Sequence, residues 1–136
     1  MSFNRVTAGV QVRSDFQKCF DFYTEKMGLV PIHGDRNGPY TSFANCKQEE
    51  PFFAIYEAAD ASIRVKEYVV PSNTESSDTL TAVFHTADFH NDYNRLLERG
   101  VQFIGKRNLV GDGFDFNIAY FRDTEGNLLS LEDGGV

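Results

Sequence analysis

From Val6 to Val12 apolar and polar or small residues alternate, with Val6, Ala8, Val10 and Val12 on one side and Thr7, Gly9 and Gln11 on the other. A period of two marks a strand buried on one face. Ser14 or Asp15 can then cap a helix, and Phe16, Cys19, Phe20, Tyr23 and Met27 follow at helical spacing as one apolar stripe that Gly28 stops. Three short extended runs come next, Leu29 to Ile32, Tyr40 to Ala44 and Phe52 to Tyr56, separated by the turn-rich stretches GDRNGP and NCKQEEP. The predicted order is β, α, β, β, β.

The second half repeats this scheme. Leu80 to Thr86 alternates, with Leu80, Ala82, Phe84 and Thr86 on one face and Thr81, Val83 and His85 on the other. Asp88 caps a helix with the stripe Phe89, Tyr93, Leu96 and Leu97, and Gly100 closes it. Runs from Val101 to Gly105, Phe116 to Phe121 and Leu128 to Leu131 supply three more strands. The turns around Gly111 and Gly126 join the last of them. The two copies superpose at an offset of 74 residues in the opening strand and 73 in the helix. An internal repeat decides architecture more firmly than any single propensity. The expected fold is α+β, two tandem βαβββ modules at residues 4–59 and 80–133 within one domain, joined by a connector at 60–79. Part of that connector, Pro71 to Asp78, reads PSNTESSD; too polar to bury apolar surface, it is expected to be a linker or a mobile flap.

Composition narrows the partners. The chain has 136 residues, enough to bury about 68–70% of its unfolded surface in a core, and 41% of them are hydrophobic. Lys and Arg number 13 against 20 Asp and Glu, a net charge of −7 that repels phosphate backbones and anionic lipid. Neither nucleic acid nor a membrane is therefore expected as a partner. The amino-terminal MSFNRVTAG lacks the apolar core of a signal peptide and no stretch approaches a bilayer span, so the expectation is cytoplasmic. Cys19 and Cys46 have no CxxC spacing and read as reduced thiols. No phosphate-cradling glycine loop and no GxSxG motif occurs.

The segments VRSDFQKCFDFYTEKMGL and YFRDTEGNLLSLED resemble the first-helix and carboxy-terminal signatures of the glyoxalase/bleomycin-resistance/dioxygenase (vicinal oxygen chelate) superfamily, with Thr124 and Glu125 where Pro and Asp are usual. The resemblance implies that each module curls its strands into an open half-barrel, the pair facing each other around a cavity. In the catalytic members each module offers one metal ligand from its first strand, commonly His, and one from its last, commonly Glu. Carried over, these positions fall on Thr7, Thr81 and Ser130, with Ala54 in the fourth or, in a looser register, Glu57. Hydroxyls and a methyl group lack the charge and basic lone pairs that hold a divalent ion against water. The expectation is therefore no metal and no cofactor: a metal-independent small-molecule-binding protein. The alternative is a lactoylglutathione lyase-like enzyme or dioxygenase with an atypical ligand set recruiting His85 and Glu132 or Glu57. Two-module relatives also imply a homodimer.

Parity adds candidate ligand contacts. His85 shares a face with Thr81 and Val83, and its imidazole could act as a base, hydrogen-bond a ligand, or simply bond a neighbouring loop at a rim. Glu132 has the facing of Ser130 and either forms an acid/base pair with His85 or belongs to a solvated tail, EDGG. Thr7 and Gln11 line the equivalent face of the first module. His33 and His90 read as solvent-exposed. Phe43, Tyr56 and Tyr120 could form an aromatic wall for a flat ligand, though a one-residue shift in register would reverse their facing.

Overall fold

The computed structural model describes residues 1–59 and 79–134. The chain divides into two compact units, Met1–Glu75 and Ser76–Val136, and each carries one four-stranded sheet. The polar stretch read as a linker or flap, Pro71 to Asp78, lies outside the described residues.

In the first unit, strand β1 (Ala8–Val12) is followed by helix α1 (Phe16–Asp21), and then by β2 (Val30–His33), β3 (Tyr40–Ala44) and β4 (Phe53–Glu57). The sheet order is β1-β4-β3-β2, with β1 parallel to β4 and the other pairs antiparallel. Val10 and Val12 are buried as the alternation predicts, whereas Val6 lies before the strand and is 84% exposed. Asp15, not Ser14, caps α1, its carboxylate accepting from the Lys18 amide at 3.0 Å.

The helix departs from the predicted stripe at its end, where Phe22–Lys26 forms a π-helical turn and the Met27 amide donates to the Phe22 carbonyl. The Thr24 hydroxyl donates back to the Phe20 carbonyl at 3.0 Å, occupying an acceptor in the widened turn. Consecutive Phe22 and Tyr23 are both buried in this turn. Gly28, at φ 75°, then turns the chain out of the helix.

Helix α1 and its π turn cover one face of the sheet. Tyr23 packs at 4.7 Å from the Phe53 ring and 6.1 Å from that of Phe43. Phe43 also meets Phe20 at 5.8 Å. Phe43 is thus a core residue on the helix side, and the sequence-based expectation that it joins a ligand-facing wall is corrected.

In the second unit β5 (Leu80–His85) leads to α2 (Phe89–Glu98), then β6 (Phe103–Asn108), β7 (Ile118–Arg122) and β8 (Leu128–Glu132), ordered β5-β8-β7-β6. Asp88 caps α2 through the Asn91 amide, and Gly100 (φ 89°) ends it as the Val101 amide reaches the Leu96 carbonyl. An aromatic chain links helix to sheet: Phe89 stacks on Tyr93, Tyr93 meets Phe103 at 4.3 Å, and Phe103 meets Phe121 edge-on. Leu97, placed in the apolar stripe by spacing, is 45% exposed. The strand β6 bulges between Ile104 and Asn108, where Gly105 takes φ 64°. Cys19 and Cys46 form no disulfide. Among the described residues no helix is long and apolar enough to cross a membrane.

Candidate functional site

Pairing register decides which side chains share the helix-free face of each sheet. In the first unit Gly9 pairs with Ala54 and Ala54 with Ser42; one rung along, Gln11 pairs with Tyr56 and Tyr56 with Tyr40. In the second, Val83 pairs with Ser130 and Ser130 with Tyr120; one rung along, His85 pairs with Glu132 and Glu132 with Ile118. The units are therefore equivalent rung by rung: Ala54 answers to Ser130, Gln11 to His85 and Tyr56 to Glu132.

This equivalence settles the open register of β4. Ala54 takes the position that Ser130 takes in β8. Glu57 has the opposite facing: it pairs with Val12 on the helix side. Its carboxylate and the Phe16 ring close on Gly38, where a Cβ would come within 3.2 Å of each.

The remaining predicted residues fall as follows. Thr7 precedes β1 and is half-buried, and Gln11 is half-buried within it. Thr81 sits in a bulge of the β5–β8 pairing, its hydroxyl donating to the Leu128 carbonyl at 2.8 Å. Ser130 is fully buried, and its Oγ has no hydrogen-bond partner. The same is true of Ser42, on the corresponding face of the first unit. A buried hydroxyl without a partner forfeits about 1–3 kcal/mol. Tyr56 and Tyr120 lie on the helix-free faces, and the Tyr56 ring lies 3.5 Å from the Cβ position of Gly9. Among the described residues no group of three or more His, Cys, Asp or Glu could hold a metal ion.

His85 and Glu132 come together. Nδ1 of His85 is 3.7 Å from Glu132 Oε1 and 2.9 Å from the Gly134 carbonyl oxygen. A carbonyl only accepts, so Nδ1 carries a proton and donates it to Gly134. The imidazole remains 54% exposed while the Glu132 side chain is only 16% exposed, so Glu132 is not the solvated carboxylate its acidic surroundings suggest.

The tail is held from the β6–β7 connection, a link sequence reasoning missed. The Asn117 amide donates to Asp133 Oδ1 at 2.8 Å, its side-chain Nδ2 to Oδ2 at 2.7 Å, and the Asp133 amide returns a bond to the Asn117 carbonyl. Asn117 Oδ1 accepts from the Val110 amide as well. The Phe116 ring lies so close to Gly134 that a Cβ there would come within 2.9 Å. The only hint in the sequence is the glycine at 134, which alone fits beneath the ring.

The side-chain hydrogen bond from Asn117, with a backbone bond beside it, holds the Asp133 carboxyl below the usual carboxylate range. A lowered native pKa means that the clasp stabilises the fold above the unfolded-state value near 3.8 and that this contribution disappears as pH falls through the lower native value. Acid titration by NMR should therefore show Asn117 and Gly134 signals moving together, below the pH at which exposed carboxylates titrate. Independent movement would break the proposed link between connection and tail.

Two units, each with parallel pairing of its first and last strands, a helix on one face of the sheet and equivalent rungs on the other, define a tandem-module α+β fold. A family model for the Glyoxalase/Bleomycin resistance protein/Dioxygenase superfamily matches residues 3–131, and the chain belongs to that superfamily. An uncharacterised Bacillus subtilis protein, YurT, is 26% identical over 121 residues, covering 86% of this chain and 89% of its own. Among solved structures, a protein of unknown function from Agrobacterium tumefaciens superposes with a TM-score of 0.74 at 18% identity, over 98% of this chain and 96% of the other. TnmS3, an antibiotic binding protein from Streptomyces, superposes with a TM-score of 0.61 at 22% identity, over 98% of both chains.

Proposed function

We propose that the chain is a small-molecule-binding protein that works without a metal ion or other cofactor. The observation that carries this reading is the chemistry at the four positions where metal-dependent members place His and Glu. Here they hold Thr7, Ala54, Thr81 and Ser130. Ala54 has no donor atom, the Thr81 hydroxyl spends its proton on a backbone carbonyl, and Ser130 Oγ is buried and neutral. Such a set does not fit a divalent ion, which needs charged or strongly basic ligands to displace its water. His85 with Glu132 supplies two donors, too few to rebuild a site. Binding requires less: apolar surface with a few placed polar groups. The helix-free faces offer Tyr56, Tyr40 and Gln11 in one unit and Val83, Tyr120, His85 and Glu132 in the other. The antibiotic-binding neighbour supports this reading, and the net charge of −7 favours neutral or cationic ligands. The place of action is the cytoplasm, and the assembly is a homodimer, which light scattering checks as a mass of two chains.

The test is metal analysis of untagged protein together with a thermal-shift screen of neutral and cationic drug-like compounds. The expected result is substoichiometric metal and at least one compound that raises Tm. A ligand at a hundredfold its Kd adds about 2.7 kcal/mol. Stoichiometric Zn, Ni, Fe or Mn bound by both units would overturn the reading.

A further inference from the structure

The geometry points to a subsite on the helix-free face of the second unit that takes an aromatic ligand carrying a hydrogen-bond donor, a phenolic hydroxyl or a protonated amine. The inference deepens the small-molecule-binding reading and rests on it. Its basis is the state in which the tail holds His85. The Nδ1 proton is committed to the Gly134 carbonyl at 2.9 Å, so the neutral ring keeps its lone pair on Nε2, on an imidazole that is 54% exposed. Gly134 is in turn fixed by the Phe116 ring and by the Asn117–Asp133 clasp, so the ring's tautomer and orientation are set before any ligand arrives. Glu132 adds a carboxylate 3.7 Å from the same ring.

Besides Asn108, which pairs with Ile118, the polar groups of this rung are Nε2 of the neutral His85 ring and the Glu132 carboxylate; these two both accept, and one is negative. A ligand that brings only acceptors or negative charge, such as a carboxylate or phosphate ester, meets repulsion from both. A donor satisfies Nε2, and a cationic donor gains from Glu132 as well. Arg122 lies two rungs away on this face, where its guanidinium donates to the Gly126 carbonyl at 3.0 Å.

The neighbouring strip carries Asn108, paired with Ile118, and Ser130, and is otherwise apolar. Ile118, itself buried, lies beside Glu132, and Val83, 36% exposed, and Tyr120 flank the next rung. A ring can lie across that strip with its donor at His85. Ser130 Oγ, buried and unpartnered between Val83 and Tyr120, is a second polar group on the face whose bonding the protein leaves incomplete.

The test uses isotopically labelled full-length protein and three probes: p-cresol, benzylamine and benzoate. Long-range nitrogen–proton spectra should show His85 protonated on Nδ1 and bare on Nε2 when neutral. Titration with p-cresol or benzylamine should shift His85, Val83 and Ile118 saturably, with benzoate at least about tenfold weaker. His85→Asn places an amide where Nδ1 was and keeps the bond to Gly134 but removes the Nε2 acceptor. It should weaken p-cresol about tenfold while leaving Tm near that of the parent. Glu132→Gln should weaken benzylamine more than p-cresol.

Probes that bind but shift only residues 8–57 would overturn the subsite and leave the broader binding reading standing. So would equal binding of benzoate, a neutral ring protonated on Nε2, or a His85→Asn protein that binds as the parent does. Failure of all three probes overturns the subsite alone, because the broader reading is judged by the compound screen and the metal analysis.

Discussion

Replacing Asp123 by alanine is expected to cost about 2–5 kcal/mol, because one buried carboxylate organises the whole β7–β8 turn. Its Oδ1 accepts from the Glu125 amide at 2.9 Å and the Asn127 amide at 3.0 Å, and Oδ2 accepts from Asn127 Nδ2 at 2.9 Å. Asp123, Glu125 and Asn127 are all buried, so alanine would strand two backbone donors where water reaches poorly. Urea unfolding measures the loss. Asp123→Asn, which keeps a carbonyl oxygen for the backbone donors, should recover part of it. An alanine variant that unfolds at the parent's midpoint would show that the turn forms without its carboxylate. The turn matters for function because it fixes the register of β8. A slip of one residue would carry Ser130 and Glu132 to the helix side together.

Phe43→Ala should destabilise the first unit by about 3–5 kcal/mol, the usual cost of truncating a fully buried aromatic. The ring has no exposure and touches Phe20, Tyr23 and Phe53, so no neighbour can fill the space without leaving another contact. Denaturant unfolding with a conservative Phe43→Leu control measures it. A loss below about 1 kcal/mol for the alanine variant would mean that the aromatic cluster repacks freely and that α1 is held by something else.

Position 43 also shows where the sequence was legible and where it was not. Alternation placed Val10, Val12 and Ala82 correctly on buried faces but failed for Val6 and Leu80, which are 84% and 40% exposed; the Asp88 cap, and Asp15 as one of two candidates with Ser14, followed from simple side-chain chemistry. A strand that is buried on both faces carries no alternation. In β3 every residue from Thr41 to Ala44 is buried, and hydropathy could not tell the Phe43 face from the Ser42 face. The π turn was hidden for a related reason: FDFY fits a helix equally well whether Phe22 points in or out. Ala54 against Glu57 needed the partner strand, because register is a property of pairs.

The site was half legible. Parity placed His85 and Glu132 on one face, and the structure brings them within 3.7 Å. What fixes the imidazole, the Gly134 carbonyl, belongs to the backbone, and a backbone group has no sequence signature. Asn117 and Asp133 are ordinary polar residues until the fold brings them together.

In both sheets the strand that opens the unit has a single neighbour, the strand that closes it. As the chain emerges from a ribosome, β5 must wait for β8, so the second sheet forms only when nearly all of its residues have been synthesised. A product truncated ahead of Leu128 would carry β5 with no neighbour and β7 with a raw edge, the kind of surface that quality-control proteases and aggregates recognise.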